Sequence, residues 1–307
     1  KNLVFDSKDE ELYKELIVAQ CNVLHKSMPF LFEEINDCTE LLFPGGLLNQ
    51  DSLIREMVDT IPEEDWKEVE ITGWLYQFYI YEKKEQVVGL DKGIIEKNDI
   101  PCATQLFTPK WIVQYMVQNS LGKLWYDCYP ESELVNEWEF FLKPEISENN
   151  SQGRLELESI KLIDPCCGSG HILVYAFELF YNMYKAQGYL QKDIPSLIAK
   201  NNLYGLEICR RAAQLAKFSL LMKLRSYSSD IKDISLNIFE IQDGRDLSDE
   251  AIELICRDDK ETAEIKDVVK TFKDAKNFGS LIIPPDIDYN KYLDRIENLE
   301  LEEMSLF

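Results

Sequence analysis

The segment Asp164-Pro165-Cys166-Cys167-Gly168-Ser169-Gly170-His171 constrains the fold of this chain more than any other. It lies between a short apolar run, Ile160-Lys161-Leu162-Ile163, and an apolar stretch from about 171 to 187. Glycines at such a junction let the chain turn sharply from strand into helix and let its backbone approach a ligand. The same order then repeats. A helix at 194–200 leads into the strand Leu203-Tyr204-Gly205-Leu206. A helix at 209–226 follows, with Ala212, Leu215, Ala216, Ser219 and Leu220 on one stripe, and Leu236 to Ile241 makes a third strand. Three strand–helix units in succession imply an α/β fold with a parallel, doubly wound sheet. A chain of 307 residues, 45% of them hydrophobic, can bury a large core around it.

The flanks read differently. Residues 7–43 are expected to be helical with a break near Pro29, since Leu12, Leu16, Ala19 and Val23 recur at helical spacing. Pro44-Gly45-Gly46 is a turn signal, and 50–60 a short helix. Residues 64–85 read as a longer helix whose centre, Gly73 to Tyr81, is very aromatic. Its periodicity favours packing into a core over a base-stacking platform, which would need basic residues that the run lacks. Thr108 and Pro109 are expected to cap and open a helix at about 109–126. Residues 129–159 read as an exposed connection, and 249–276 as charged helix with an extended tail.

The glycine loop is not G-x-x-x-x-G-K-[ST], which excludes a P-loop, and it is not a full G-x-G-x-x-G. Free N–H groups at the start of the helix that follows favour a carboxylate or phosphate. Glu207 closes the second strand, where a carboxylate can accept both ribose hydroxyls of a nucleoside. Asp243, at the end of the third, could accept from an adenine amino group. Carboxylates at the carboxyl ends of consecutive parallel strands outline one crevice.

Charge narrows the partners. Lys and Arg number 33 against 56 Asp and Glu, a net −23. Residues 1–100 carry −12, 101–245 only −2, and 246–307 −9. A duplex-binding surface needs cations against phosphates, so this chain does not read as a complete nucleic-acid binder. Eight cysteines without a C-x-x-C pair, and only two histidines, argue against a zinc site or a disulfide framework and point to a reducing, cytoplasmic setting. No run is long and apolar enough for a membrane helix, and the start at Lys1 shows neither a signal peptide nor an initiator methionine, as in an internal piece of a longer protein.

Asp164 to His171 resembles motif I of S-adenosylmethionine-dependent N6-adenine DNA methyltransferases of type I and type IIG restriction-modification systems. Ala103 to Pro109 resembles their motif X, Leu203 to Ile208 motif II, and the Asp243 region motif III, in the order of the γ class. Gly73 to Tyr79 and Asp274 to Leu281 are similar to the PglX-like adenine methyltransferases of BREX phage-defence systems. The resemblance implies a helical N-terminal domain at 1–100 and a Rossmann-like, doubly wound S-adenosylmethionine-binding half-domain at 101–307. It also implies site roles. Thr108, Pro109 and the loop with Asp164, Pro165, Cys166, Gly168 and Gly170 would hold the methionine part of the cofactor. Glu207 would bind the ribose, Ile208 would pack on the adenine, and Asp243 would meet its N6.

Enzymes of this kind carry [DNS]-P-P-[YFW], whose acceptors and ring hold the flipped adenine. That tetrapeptide is absent: Pro284-Pro285 follows Ile283 and precedes Asp286. The expectation is a catalytically incomplete N-terminal portion, without metal, that meets DNA through downstream regions and works beside other defence-system proteins. The alternative is a non-catalytic docking module with a vestigial cofactor loop.

Overall fold

A computed structural model describes residues 7–26, 28–36, 42–67, 69, 71–88, 94–96, 99–106, 108–144, 155–228, 234–244 and 247–296. The helices are α1 (Ser7–His25), α2 (Leu53–Thr60), α3 (Ile71–Val88), α4 (Ile100–Thr104) and α5 (Lys110–Cys128), then the strand β1 (Leu162–Asp164). Next come α6 (His171–Ala186), α7 (Ile194–Asn201), β2 (Leu203–Glu207), α8 (Arg210–Tyr227) and β3 (Asn237–Glu240). The last are α9 (Asp249–Ile255), α10 (Asp259–Phe272) and the single turn α11 (Ala275–Phe278).

The fold is α/β around a small parallel sheet of order β1-β2-β3, with Leu162 opposite Leu203 and Gly205 opposite Ile238. α6 carries Leu173, Phe177, Phe180 and Tyr184, all fully buried, because it lies between the sheet and α5. A helix with neighbours on both sides must be apolar over most of its surface, and α6 is, with Glu178 and Lys185 confined to its open edge. α7 and α8 complete the same layer through Ile194, Ile198, Leu220 and Leu224. The opposite face keeps Ile163 and Phe239 58% and 54% exposed, so the described residues put a full helical layer on one face only. None of the described helices is long and apolar enough to cross a membrane.

Asn202 pins β1 to β2. Its side chain is fully buried, donates to Leu157 O and Ile160 O at 2.7 Å each, and accepts from the Tyr184 hydroxyl at 2.9 Å. Its carbonyl takes the Leu162 amide at 2.7 Å, which seats the first residue of β1 in the ladder.

Several elements depart from expectation. α1 stops at His25, and 28–36 folds back on it without helix. Asn22 satisfies both backbone groups of Ile35, at 2.8 and 3.0 Å, and His25 Nδ1 meets Phe32 O at 2.7 Å, so side chains replace the helical ladder there. Thr108 makes no capping bond; α5 opens at Lys110, and Pro109 holds the cap position. The aromatic helix α3 is not a core helix: only Ile71, Gly73 and Ile80 are buried, while Phe78 and Tyr79 stay 78% and 72% exposed.

Asn202→Ala strands two buried carbonyls and a buried hydroxyl, and is expected to cost about 2–4 kcal/mol in urea unfolding. Tyr184→Phe removes one of those bonds and should cost about 1–2 kcal/mol.

Candidate cofactor site

β1 delivers Asp164 into the protein, 6% exposed, and its Oδ1 accepts from the Cys166 amide at 3.1 Å. Burial pushes this carboxyl above the usual carboxylate range, and the charge of Glu207 adds to the shift. The loop then turns back. Cys167 N donates to Leu206 O at 3.0 Å, and Gly170 N to Cys167 O at 2.8 Å. Gly168 and Gly170 take φ of 53° and 88°, the left-handed region that a Cβ disfavours.

The two glycines do different work. A Cβ on Gly170 would come within 3.1 Å of Ala216 Cα, so Gly170 lets α6 approach the backbone of α8. A Cβ on Gly168 would meet no protein atom within 4 Å and would project into open space. Gly168 also lines a cavity of about 390 Å³, with Pro165, Cys166, Glu207, Ile208 and Phe278.

Glu207 joins the walls of this cavity. Its Oε2 accepts from the Gly168 amide at 2.8 Å and its Oε1 from the Cys209 amide at 2.9 Å. Each oxygen retains a second lone pair for an incoming hydroxyl. Opposite, the Asp274–Leu281 segment closes in: a Cβ on Gly279 would lie 3.4 Å from Ile208 Cγ2, and Cys166 Sγ is 3.4 Å from Ser280 Oγ.

The structure thus brings together Pro165, Cys166, Gly168, Glu207 and Ile208, with Asp164 and Gly170 behind them. It places Thr108 and Pro109 elsewhere, in a second cavity with Trp74, His171 and Lys223. Asp243 does not line the first cavity; its Oδ1 accepts from Lys276 N at 2.8 Å and so holds the closing segment in place. Sequence reasoning gave Phe278 and Ser280 no role, although Asp274–Leu281 stood out as a motif. It also missed Gly73 of α3, where a Cβ would fall 2.7 Å from Ser169 Oγ and 2.9 Å from His171 Nε2. α3 therefore rests directly on the start of α6. Among the described residues, no group of three or more His, Cys, Asp or Glu could hold a metal ion.

Comparison with known proteins places this geometry. Residues 145–250, which hold all three strands, match the family model described as MmeI, DNA-methyltransferase domain. The chain is 41% identical, over 96% of its length, to the adenine-specific methyltransferase BrxX of Escherichia coli O9:H4 (strain HS). The chain belongs to the BREX adenine-specific methyltransferase family. It is also 36% identical, over 88% of its length, to the adenine-specific methyltransferase PglX of Lacticaseibacillus casei (strain Zhang). A third relative, at 26% identity over 66% of the chain, is a restriction enzyme and methyltransferase assigned in Methanocaldococcus jannaschii. The chain spans about a quarter of the length of these two BREX relatives, 27% and 24%.

Two outcomes follow from the loop geometry. Gly170→Val combines left-handed strain with a clash against α8 and should destabilise the chain by about 2–5 kcal/mol in denaturant unfolding. Asp164 binds its proton more tightly folded than unfolded, so its contribution to stability falls as pH rises from about 3.9 through its raised folded value. Asp164→Asn keeps an acceptor for Cys166 N and should flatten that part of a stability–pH curve.

Proposed function

We propose that this chain is the S-adenosylmethionine-binding portion of a DNA adenine N6-methyltransferase of a BREX phage-defence system, working in the cytoplasm. In this reading residues 1–100 form a helical N-terminal domain. Residues 101–307 form a Rossmann-like half-domain whose uncovered sheet face is completed by the rest of a longer protein. The observation that carries the reading is the Glu207 carboxylate, fixed by the amides of Gly168 and Cys209 at the mouth of the cavity.

The residues fit the cofactor. The cavity volume, about 390 Å³, lies in the roughly 300–1,000 Å³ range of small-molecule sites. Gly168 lines the cavity, and a Cβ there would meet no protein atom within 4 Å. Glu207 accepts from a ribose diol, and Ile208 offers an apolar face to adenine. When bound, S-adenosylmethionine supplies an activated methyl group on a sulfonium. The protein's own task is then to hold donor and acceptor in line, and proximity supplies much of the rate.

This chain alone lacks the groups for the second half of that task. It contains no [DNS]-P-P-[YFW], and the Pro285 carbonyl is already occupied by the Tyr289 hydroxyl at 2.8 Å and the Ile287 amide at 3.1 Å. Acceptors for a flipped adenine, and most contacts to DNA, therefore belong to downstream regions, together with whatever defence-system proteins join the complex. A second reading has one observation in its favour. Both Glu207 oxygens already serve the backbone, as they would in a docking module whose loop is purely structural.

Calorimetry separates the two. S-adenosylmethionine or S-adenosylhomocysteine should bind at one site, and Glu207→Ala should weaken that binding by about 1–3 kcal/mol through lost charge-assisted hydrogen bonds. Absence of binding at millimolar ligand would favour the docking module. A labelled-methyl assay should detect no transfer to unmethylated DNA by this chain.

A further inference from the structure

The aromatic run of α3 was set apart from base stacking because it contains no basic residue. The fold supplies them from elsewhere. Tyr76 and Tyr79 line a groove of about 730 Å³ together with Lys83 of the same helix and Arg210, Arg211 and Lys276 from other elements. Glu82 is the one carboxylate among the groove-lining residues. Four cations therefore gather in one groove of a chain of net charge −23, three of them with a carboxylate partner just outside the lining.

The cations are available. Lys83 meets Asp99 at 3.4 Å, Arg210 meets Glu33 at 3.1 Å and Lys276 meets Glu240 at 3.2 Å. The Arg210–Glu33 pair is largely exposed and the Lys83–Asp99 pair partly so, and exposed pairs contribute only about 0–1 kcal/mol, so these two cations can turn to a phosphate at modest cost, whereas Glu240 beside Lys276 is mostly buried. Arg211 has no carboxylate partner among the described residues. Tyr76 stacks with Tyr79, ring centroids 6.2 Å apart and planes 23° from parallel, which leaves the Tyr79 ring outermost and 72% exposed. Burial and contact with Cys209 push the Tyr76 phenol up, so it stays neutral beside phosphates. The groove also abuts the cofactor cavity, with Pro101, Gln105, Ile208 and Lys276 lining both.

We propose that the groove between α3, α4 and the start of α8 binds a single-stranded nucleic-acid segment, with phosphates on Arg210, Arg211, Lys83 and Lys276 and a base stacked on Tyr79. A stretch of cations along an aromatic platform is the arrangement that holds an unpaired strand. A duplex keeps its bases stacked inside, offers none to Tyr79, and brings a denser array of phosphates to a chain that is acidic everywhere else. Lys276 and Ile208 are shared with the cofactor cavity, but the two contacts put to the test, Tyr79 and Arg211, line the groove and not that cavity.

The test is fluorescence anisotropy with a labelled single-stranded oligothymidylate at low salt. Binding is expected, tighter than to a duplex of equal length and tighter than to an abasic oligomer carrying the same phosphates. Tyr79→Ala should weaken it by about 5- to 100-fold, the usual worth of one stacked base. Arg211→Ala should lower the slope of log affinity against log salt by about 0.7, one phosphate contact to a single strand. Both side chains are exposed, so thermal melting and S-adenosylhomocysteine titration should be unchanged in each variant. No binding at low salt overturns the proposal. So does parental affinity in Tyr79→Ala, an unchanged salt slope in Arg211→Ala, or equal affinity for duplex or abasic oligomer. Failure of cofactor binding with strand binding intact would count against the methyltransferase reading alone.

Discussion

The Glu207 carboxylate is the interaction on which the site depends. It takes one amide from the loop after β1 and one from the turn after β2, so a single side chain sets the distance between two neighbouring crossovers. Hydrogen bonds to a carboxylate are stronger than those between neutral groups, and both donors are backbone groups that would otherwise need water. Asp164 lies below, buried and itself bonded to the loop through Cys166 N. The two acids repel, and that repulsion is part of why the Asp164 carboxyl is raised. The loop is thus held by two acceptors of unlike environment: one lines the cavity, the other is sealed away from it.

Close packing beneath the loop makes this arrangement possible. A Cβ on Gly205 of β2 would fall 3.0 Å from Leu173 Cδ1 and 3.1 Å from Cys167 Sγ. The sheet is therefore pressed directly against the first turn of α6, and Gly170 presses the same turn against Ala216 of α8. Interiors at organic-crystal density transmit small displacements rather than absorb them. The position of the Gly168 amide under the Glu207 carboxylate is accordingly set by fully buried side chains of α6, such as Leu173 and Phe177, that never reach the cavity.

The strands, the glycine turn and Glu207 were legible in the sequence because each is a local signal: alternation of period, a residue needing positive φ, an acid at a strand end. Thr108 and Asp243 lie outside the lining of the first cavity for a common reason. Both were located by sequence order along a resemblance, and order does not say toward which side of a wall a residue turns. Asp243 is spent on the Lys276 amide, a long-range contact no spacing rule foresees. The aromatic helix failed differently. At about 100° per residue, Gly73 and Ile80 fall on one narrow stripe, while Trp74, Phe78 and Tyr81 lie to one side and Tyr76 and Tyr79 to the other. Apart from Ile71 in its first turn, α3 buries only that stripe, however apolar the rest of it is.

Charge shows the same gap between a sum and a site. A net −23 describes the far field, which salt screens beyond about 8–10 Å. Long-range attraction of a duplex depends on that field, and here it is repulsive. What happens inside a groove is decided within a few ångströms, where Arg210 and Arg211 at the start of α8 meet Lys83 of α3 and Lys276 beside the cofactor cavity. Lys83 and Lys276 are far in sequence from the Arg210-Arg211 pair, so no window of composition could register all four together. The same fold step that sets Gly73 against Ser169 and His171 carries Tyr76, Tyr79 and Lys83 to the head of α8. Docking α3 by its smallest residue therefore does two things at once: it braces the turn that opens α6, and it carries Tyr76, Tyr79 and Lys83 to the groove that Arg210, Arg211 and Lys276 also line.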